Sequence, residues 1–239
     1  LEIDRSGMEK PFHSLSGHER LSCQACHSAW VPQCYGCHIT LRKSQRQADW
    51  ITGEETPGRW VEHRSFVRFS KPALGVDEKS RIYPVSPCQV FLSMLDEKDE
   101  EVPEASMTVS SLAAFDPHTT SLRSRECRKC HGDPKVLGLG EGTLHRIHGD
   151  WVFRPIYDTQ ASGMPGFLPL DGYTDLSDSR PDNMSDDGAR PFAGGEVERI
   201  LAVNSCIGCH TEYADPIYRD FPQALERFRE EPGLPCREE

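Results

Sequence analysis

The sequence predicts a fold made mostly of coil and short α-helices, with one small antiparallel β element in the middle of the chain. Three observations lead to this prediction. Only 36% of the 239 residues are hydrophobic, so an ordinary aliphatic core would be small. The 19 glycines and 18 prolines interrupt regular structure throughout the chain. Most of the ten cysteines lie in four short clusters, which we expect to hold bulky groups that replace aliphatic side chains in the core.

Each of the four clusters has the pattern C-x-x-C-H. The members are Cys23, Cys26 and His27; Cys34, Cys37 and His38; Cys127, Cys130 and His131; and Cys206, Cys209 and His210. This pattern is the attachment sequence of c-type haem. Two thiols three residues apart on a short helical turn reach both vinyl groups of one porphyrin, and the adjacent histidine becomes the proximal ligand of the iron. Zinc sites and thioredoxin-like pairs also use C-x-x-C, but neither explains a histidine at the same offset four times.

The motifs therefore predict four covalently attached haem c groups, and the predicted fold class is a multihaem cytochrome c. Porphyrins are large, flat and apolar, so four of them supply the buried surface that the composition lacks. In this interpretation the haems form the core. We expect the chain without them to be largely unfolded, as small metal-dependent domains are.

The other six histidines include the candidates for the distal ligands of these irons. His13 and His18 closely precede the first motif, so we expect them to reach neighbouring haems rather than bend back over the ring that follows them. His118 lies in the turn segment DPHTT ahead of the third motif and is the best-placed candidate. A helical spacing relates His145 and His148, of which one is expected to reach an iron, and His148 is preferred.

A few further side chains have less specific interpretations. His63 lies in a strand-like stretch and is expected to be structural, and Met164 and Met184 are less favoured sixth ligands. Cys88 and Cys236 lie outside the motifs. Because c-type attachment takes place outside the cytoplasm, where disulfides persist, the plain interpretation is a bridge between these two cysteines. Bonding to a partner chain and thiolate ligation of iron stay open.

The chain divides into three segments, which we expect to form one compact unit around the haems. Residues 1–58 carry the first two motifs. Residues 59–116 contain no motif and are rich in β-branched residues, so they predict a β-rich insertion. Residues 117–239 carry the last two motifs.

Local patterns predict the secondary-structure elements within these segments. Apolar and β-branched stretches predict three strands, at 60–69, 81–95 and 107–115. A charged loop joins the last two strands as a hairpin. Residues 150–192 are rich in Gly, Pro and Asp and predict a long irregular wrap over haem faces. Apolar spacing predicts one helix that leads from Gly194 into the fourth motif and a last helix over Phe221–Glu230.

The charge of the chain restricts its partners. The net charge of −11 argues against nucleic acid, because phosphate binding needs clustered Lys and Arg. Haem propionates would add negative charge, so we expect basic or metal-bearing partners and association that weakens with salt. No apolar run approaches the roughly 18 residues of a membrane span. The sequence begins at Leu1 without an initiator Met, and we expect it to derive from a longer precursor.

Three stretches resemble parts of the multihaem c-type cytochromes of anaerobically respiring bacteria. They are HERLSCQACHSAWVPQCYGCH, DPHTTSLRSRECRKCHGDPKVLGLGEG, and DDGARPF followed by ILAVNSCIGCH. Octahaem tetrathionate-reductase-like proteins and the extracellular cytochromes of metal reducers belong to this group. The resemblance implies low-potential, mostly bis-histidine haems in a chain of close contacts. It also implies a location in the periplasm or at the cell surface.

These observations favour a tetrahaem electron-transfer protein over an enzyme. Six histidines are available for four distal positions, so the count allows bis-histidine ligation throughout. Its partners would be redox proteins, other cytochrome protomers or an extracellular electron acceptor. Two alternatives stay open: a reductase of a sulfur or nitrogen oxyanion with one open haem, and a protomer of a conductive filament.

Overall fold

The structure is a computed structural model that describes residues 13–157, 168–177 and 184–231. In these ranges the strands are β1 (Val31–Ala48), β2 (Glu55–Ser70), β3 (Ala73–Asp77), β4 (Ile82–Leu95), β5 (Met107–Ala114), β6 (Gly142–Ile147), β7 (Asp150–Pro155), β8 (Met184–Asp187) and β9 (Ala189–Arg190). The helices are α1 (Cys23–His27), α2 (Arg128–His131), α3 (Gly194–Ile207) and α4 (Phe221–Glu230).

A mixed sheet of seven strands dominates the described part of the chain. Its main path has the order β2-β1-β4-β3-β9, and β5 pairs with both β4 and β8. Strand β1 is antiparallel to β2 and parallel to β4, whereas β4 and β5 form an antiparallel hairpin. Strands β6 and β7 form a separate two-stranded sheet. No helix of the described residues is long and apolar enough to cross a membrane.

The predicted fold class, mostly coil and short helices around packed haems, is wrong. The largest unpredicted element is β1, which continues for 18 residues and contains the second C-x-x-C-H motif. The inner part of β1 shows the alternation of a half-buried strand, since Val31, Gln33 and Tyr35 are buried and the residues between them are exposed. The pairing of β1 with β2 and β4 satisfies its backbone groups, so its polar outer half also remains extended.

Several of the predicted elements are confirmed. The three predicted strands correspond to β2, β4 and β5, although residues 81 and 115 fall just outside the observed strands, and the charged loop joins β4 to β5 as a hairpin. The last helix covers Phe221–Glu230, and α3 leads into the fourth motif. The irregular wrap predicted for residues 150–192 is wrong in part, because β7, β8 and β9 lie in it. The rest of the wrap lies partly outside the described residues.

Two apolar clusters support this fold. One lies within the sheet and consists of Ala73, Val85, Leu112, Tyr173 and Ala189. The other packs the sheet against the loops and helices that carry the motifs, and it includes Ala25, Leu74, Val136, Leu137, Phe192 and Leu201. The described residues therefore have an aliphatic and aromatic core of their own, and the expectation that prosthetic groups replace such a core is corrected.

Candidate functional site

Four histidines face one another in pairs across a single cavity. The ring centres of His13 and His27 are 6.2 Å apart, and those of His18 and His131 are 6.0 Å apart. All four side chains line the same cavity, which is partly open to solvent. We call it the paired-histidine cavity. Each pair joins a histidine of a C-x-x-C-H motif to a histidine from the segment ahead of the first motif.

A short turn before α1 positions His18. The backbone N–H of His18 donates to the carbonyl of Leu15 at 3.1 Å, and Gly17 takes a φ of 85°, a conformation that favours glycine. The chain is then anchored to the start of β4, because Ile82 N donates to Arg20 O at 2.7 Å and Ser22 N donates to Ile82 O at 3.0 Å. The sheet thus holds the turn that carries His18.

The first motif forms the helical turn that the sequence predicts. Ser22 caps α1, since its hydroxyl accepts a hydrogen bond from Ala25 N at 3.1 Å. The segment before the third motif runs alongside, and Arg125 N donates to the carbonyl of Cys26 at 2.9 Å. This contact brings the first and third motifs to one cavity, although their nearest cysteines, Cys26 and Cys127, are 101 residues apart in the sequence.

The outer nitrogens of three motif histidines are held by hydrogen-bond acceptors. Nδ1 of His27 lies 3.0 Å from the carbonyl oxygen of Ser121, and Nδ1 of His131 lies 2.8 Å from that of Ile200. A carbonyl oxygen only accepts, so each Nδ1 carries the hydrogen and donates it. In the neutral ring Nε2 then keeps its lone pair, which is the arrangement found in most metal-binding histidines. In the fourth motif, Nδ1 of His210 makes the same kind of bond to Asp215 at 2.8 Å.

Each pair has the separation that two histidines on opposite sides of one bound metal ion would have. Two imidazoles on opposite sides of one ion, each bonded at about 2.0–2.1 Å, have ring centres about 6 Å apart. Both pairs match this separation. The cavity wall is apolar on the sheet and α3 sides, with Leu21, Leu74, Ile82, Val136, Leu137, Phe192 and Ile200 among its lining residues. A flat apolar group with a polar edge suits such a wall.

Burial shifts the pKa of four groups in this cavity towards the uncharged form. It lowers the pKa of His131, although the hydrogen bond to Ile200 opposes this, and it lowers the pKa of His18, which also faces His131. Burial raises the pKa of the Cys130 thiol to about 12 and raises that of Cys26 as well. Neutral imidazoles are the form that binds metal.

The second motif has a different backbone from the other three. Cys34 and Cys37 lie on β1, where Gly36 has a φ of 66° and the register against β2 shifts. Their Sγ atoms are 3.8 Å apart. The ring of His38 stacks on Phe91 with 4.4 Å between centres. The motif therefore lies on a strand bulge and not on the helical turn that the attachment argument assumes.

The prediction of four covalently attached haem c groups is wrong for the described part of the chain. There, no group of three or more His, Cys, Asp and Glu side chains could hold a metal ion. The second motif departs from the attachment argument as well, because its thiols are presented by a strand. The fourth motif does have a helical turn, with His210 N donating to Cys206 O at 2.9 Å.

The remaining predicted ligands are spread over the surface. His118 is exposed in a turn, and His148 is exposed with a φ of 52° in the turn between β6 and β7. His145 lies on β6, so the helical relation between these two is wrong. Nε2 of His63 bonds the Thr40 hydroxyl at 2.9 Å, as a structural histidine would.

The sulfur-containing candidates give less information. Cys88 is exposed on β4. Its thiol interacts electrostatically with those of Cys34 and Cys37 in the second motif. Cys236 and Met164 lie outside the described residues, so the predicted bridge and that ligand stay predictions. Met184 begins β8. The segment boundaries after residues 58 and 116 also stay predictions.

One residue of the cavity has no counterpart in the sequence analysis. Arg125 is 4% exposed, and two of its side-chain nitrogens have no hydrogen-bond partner among the described residues. In the sequence it stands in the basic stretch RSRECRKC, which is typical of a solvated surface. Its burial follows from the pairing of its backbone with α1, which the local pattern does not indicate.

Comparisons of the chain with protein-family models, with curated proteins and with solved structures each return no match. The resemblance to multihaem cytochromes therefore stays a prediction from the motifs.

Glu196 links the His18 turn to the third motif. Its carboxylate accepts hydrogen bonds from Arg20 at 2.8 Å, from Arg190 at 2.7 Å and from the backbone of Ala193 at 2.9 Å. Burial acts to raise the pKa of Glu196, but these bonds outweigh it and lower the pKa to about 2. Arg20 is two residues from His18. Glu196 lies in the first turn of α3, and the carbonyl of Ile200 in the same helix accepts the hydrogen bond from His131.

We expect Glu196→Gln to lower the free energy of unfolding near neutral pH by about 1–3 kcal/mol, the usual contribution of hydrogen bonds to a charged group. Because the folded pKa of about 2 lies below the ordinary 4.5, the contribution is present above pH 4.5 and is lost as the pH falls towards 2. Urea unfolding across that interval should give a flatter pH dependence for the variant. Glu198→Gln, on an exposed position of the same helix, is the control, and equal pH slopes for both variants would contradict the argument.

Proposed function

We propose that the chain is an electron-transfer protein whose redox centres are haem groups held in the paired-histidine cavity. It concerns two haem groups, one for each histidine pair, and not the four that the motifs predict. The observation that carries it is the pair of histidine separations, 6.2 and 6.0 Å, within one apolar cavity.

The motif cysteines support the same assignment. Cys23 and Cys26 lie on one helical turn beside His27, and Cys127 and Cys130 lie on another beside His131. Covalent attachment at these turns would fix each group with its motif histidine on one face. His13 and His18 would then be the ligands on the opposite faces, which leaves no position at either iron for a substrate.

A bound haem supplies a one-electron couple between ferric and ferrous iron. The protein's own residues do the rest of the work. The carbonyls of Ser121 and Ile200 orient His27 and His131 and fix the proton on Nδ1. The apolar wall limits the contact of a bound group with water on the sheet and α3 sides, and two histidines on opposite faces would favour electron transfer over ligand exchange.

The net negative charge supports a choice of partner, and the attachment chemistry supports a choice of compartment. With a net charge of −11, the chain suits a basic redox protein, another cytochrome protomer or a metal-bearing extracellular acceptor. C-type attachment takes place outside the cytoplasm, so we place the protein in the periplasm or at the cell surface. Electron transfer to a basic partner should slow as salt screens the attraction.

The test combines intact mass with a redox titration. We expect the mature chain to carry added porphyrin mass and to show low-spin spectra that titrate reversibly with one electron per group. The double variant Cys23→Ala/Cys26→Ala should lose one group, and Cys127→Ala/Cys130→Ala should lose the other. Cys34→Ala/Cys37→Ala, on the strand, should retain both cavity groups.

Two outcomes would contradict the proposal. One is a mature chain with no porphyrin mass and no absorbance change on reduction. The other is a chain whose groups remain in full number after both helical motifs lose their cysteines. High-spin iron that binds carbon monoxide in the unaltered chain would instead favour the reductase alternative.

A further inference from the structure

Arg125 is a buried cation at the junction of the two helical motifs in the cavity. It is 4% exposed, and its Nη2 donates to the carbonyl of Pro72 at 2.9 Å. Its backbone N–H donates to Cys26 O at 2.9 Å. Arg125 itself precedes the third motif by two residues and lines the paired-histidine cavity.

The remaining donors of this guanidinium are unsatisfied. Nε and Nη1 are buried and have no hydrogen-bond partner in the described residues. None of the ion pairs in those residues includes Arg125. A guanidinium stays protonated even when buried, so it cannot avoid the cost of desolvation by losing its charge. A buried charge of this kind is normally paired.

Arg125 lies beside the attachment turns of both motifs. Cys26 and Cys130 line the paired-histidine cavity together with Arg125, whose backbone N–H donates to Cys26 O at 2.9 Å. Nε and Nη1 each stand beside Nη2 in the planar guanidinium, and each of these neighbouring pairs of N–H groups forms a fork that matches the two oxygens of a carboxylate.

We propose that Arg125 binds a carboxylate inside the paired-histidine cavity, and that this carboxylate is a propionate of one of the haem groups. The inference rests on the proposed function and adds to it the residue that binds the charged edge of the cofactor. A small carboxylate from solution offers the same chemistry, and the experiment separates the two sources.

The central measurement is the midpoint potential of each group in Arg125→Gln, Arg125→Lys and the unaltered chain. Loss of the positive charge favours the ferric state, so Arg125→Gln should lower one potential. We expect about a tenfold change in the equilibrium constant, which is about 59 mV for a one-electron couple. Arg125→Lys keeps the charge but not the fork, so its shift should be smaller, while the propionate bending band in resonance Raman spectra should move in both variants.

Arg123→Gln is the matched control. It removes the same charge two residues away from an exposed position that does not line the cavity. Its potentials and its propionate band should equal those of the unaltered chain. Far-ultraviolet circular dichroism tests whether each variant is folded. If Arg125→Gln does not fold, Arg125→Lys still provides the test.

Acetate and chloride titrations at equal ionic strength separate the carboxylate sources. A propionate in the site predicts no difference between the two salts in the unaltered chain. An acetate-specific shift that disappears in Arg125→Gln would overturn the propionate assignment. Normal haem content with unchanged potentials and an unchanged propionate band would overturn the inference alone, whereas absence of haem would overturn the proposed function itself.

Discussion

Replacement of His18 by alanine should convert one of the two cavity groups from low-spin to high-spin. The ring of His18 is the one that faces His131 at 6.0 Å, so its removal leaves one face of that iron without a protein ligand. In its reduced form the variant should bind one carbon monoxide per chain, and the unaltered protein should bind none. Electron paramagnetic resonance of the oxidised protein and carbon monoxide titration of the reduced protein measure this change.

Two comparison variants make the His18 result specific. His145→Ala removes an exposed imidazole that bonds Thr143 on β6, and it should leave all spectra unchanged. His118→Ala separates the sequence interpretation from the structural one, because the sequence favours His118 as a distal ligand and the structure places it on the surface. A high-spin signal in His118→Ala, with a low-spin spectrum retained in His18→Ala, would reject the assignment of the cavity pairs.

The sequence predicts the C-x-x-C-H turns of the site, whereas the pairing of their histidines with His13 and His18 depends on the fold. The motif histidines follow from spacing alone, and α1 and α2 form where the motifs require turns. The partner of His13 could not be predicted, and the expectation that it reaches a neighbouring motif is not what the structure shows, since it faces His27. The segment that carries His13 and His18 is anchored to the start of β4 by backbone bonds of Arg20 and Ser22, and these bonds are non-local.

The same contrast between local and non-local interactions explains which elements of the fold were predictable. Helix α4 was predictable because Pro222 lies in its first turn, Asp220 caps it and its apolar residues have helical spacing. Strand β1 was not, because its outer half is polar and its extended form depends on neighbours on both sides. At Gly36 an added Cβ would overlap Leu170, so the motif there is fitted to a bulge that only the folded chain reveals.

The corrected fold leads to a second strong expectation, that Leu112→Ala lowers the free energy of unfolding by about 2–5 kcal/mol. Leu112 has 0% exposure and packs in the sheet cluster with Val85 and Tyr173. Truncation would leave a cavity that the paired strands on both sides cannot readily close. Leu122→Ala is the control, since Leu122 is fully exposed and its loss should change stability by no more than about 0.5 kcal/mol.

The stability of Leu112→Ala and Leu122→Ala, measured with and without the two proposed haem groups of the paired-histidine cavity, decides what forms the core. The sheet cluster is separate from the apolar cluster beside the motifs, so the cost of Leu112→Ala should be the same in the unaltered chain and in a chain that lacks Cys23, Cys26, Cys127 and Cys130. Urea unfolding followed by far-ultraviolet circular dichroism should show a cooperative β transition in both backgrounds. If the chain without the four cysteines shows no such transition, the prosthetic groups and not the sheet determine the fold, and the stability argument for Leu112 fails with it.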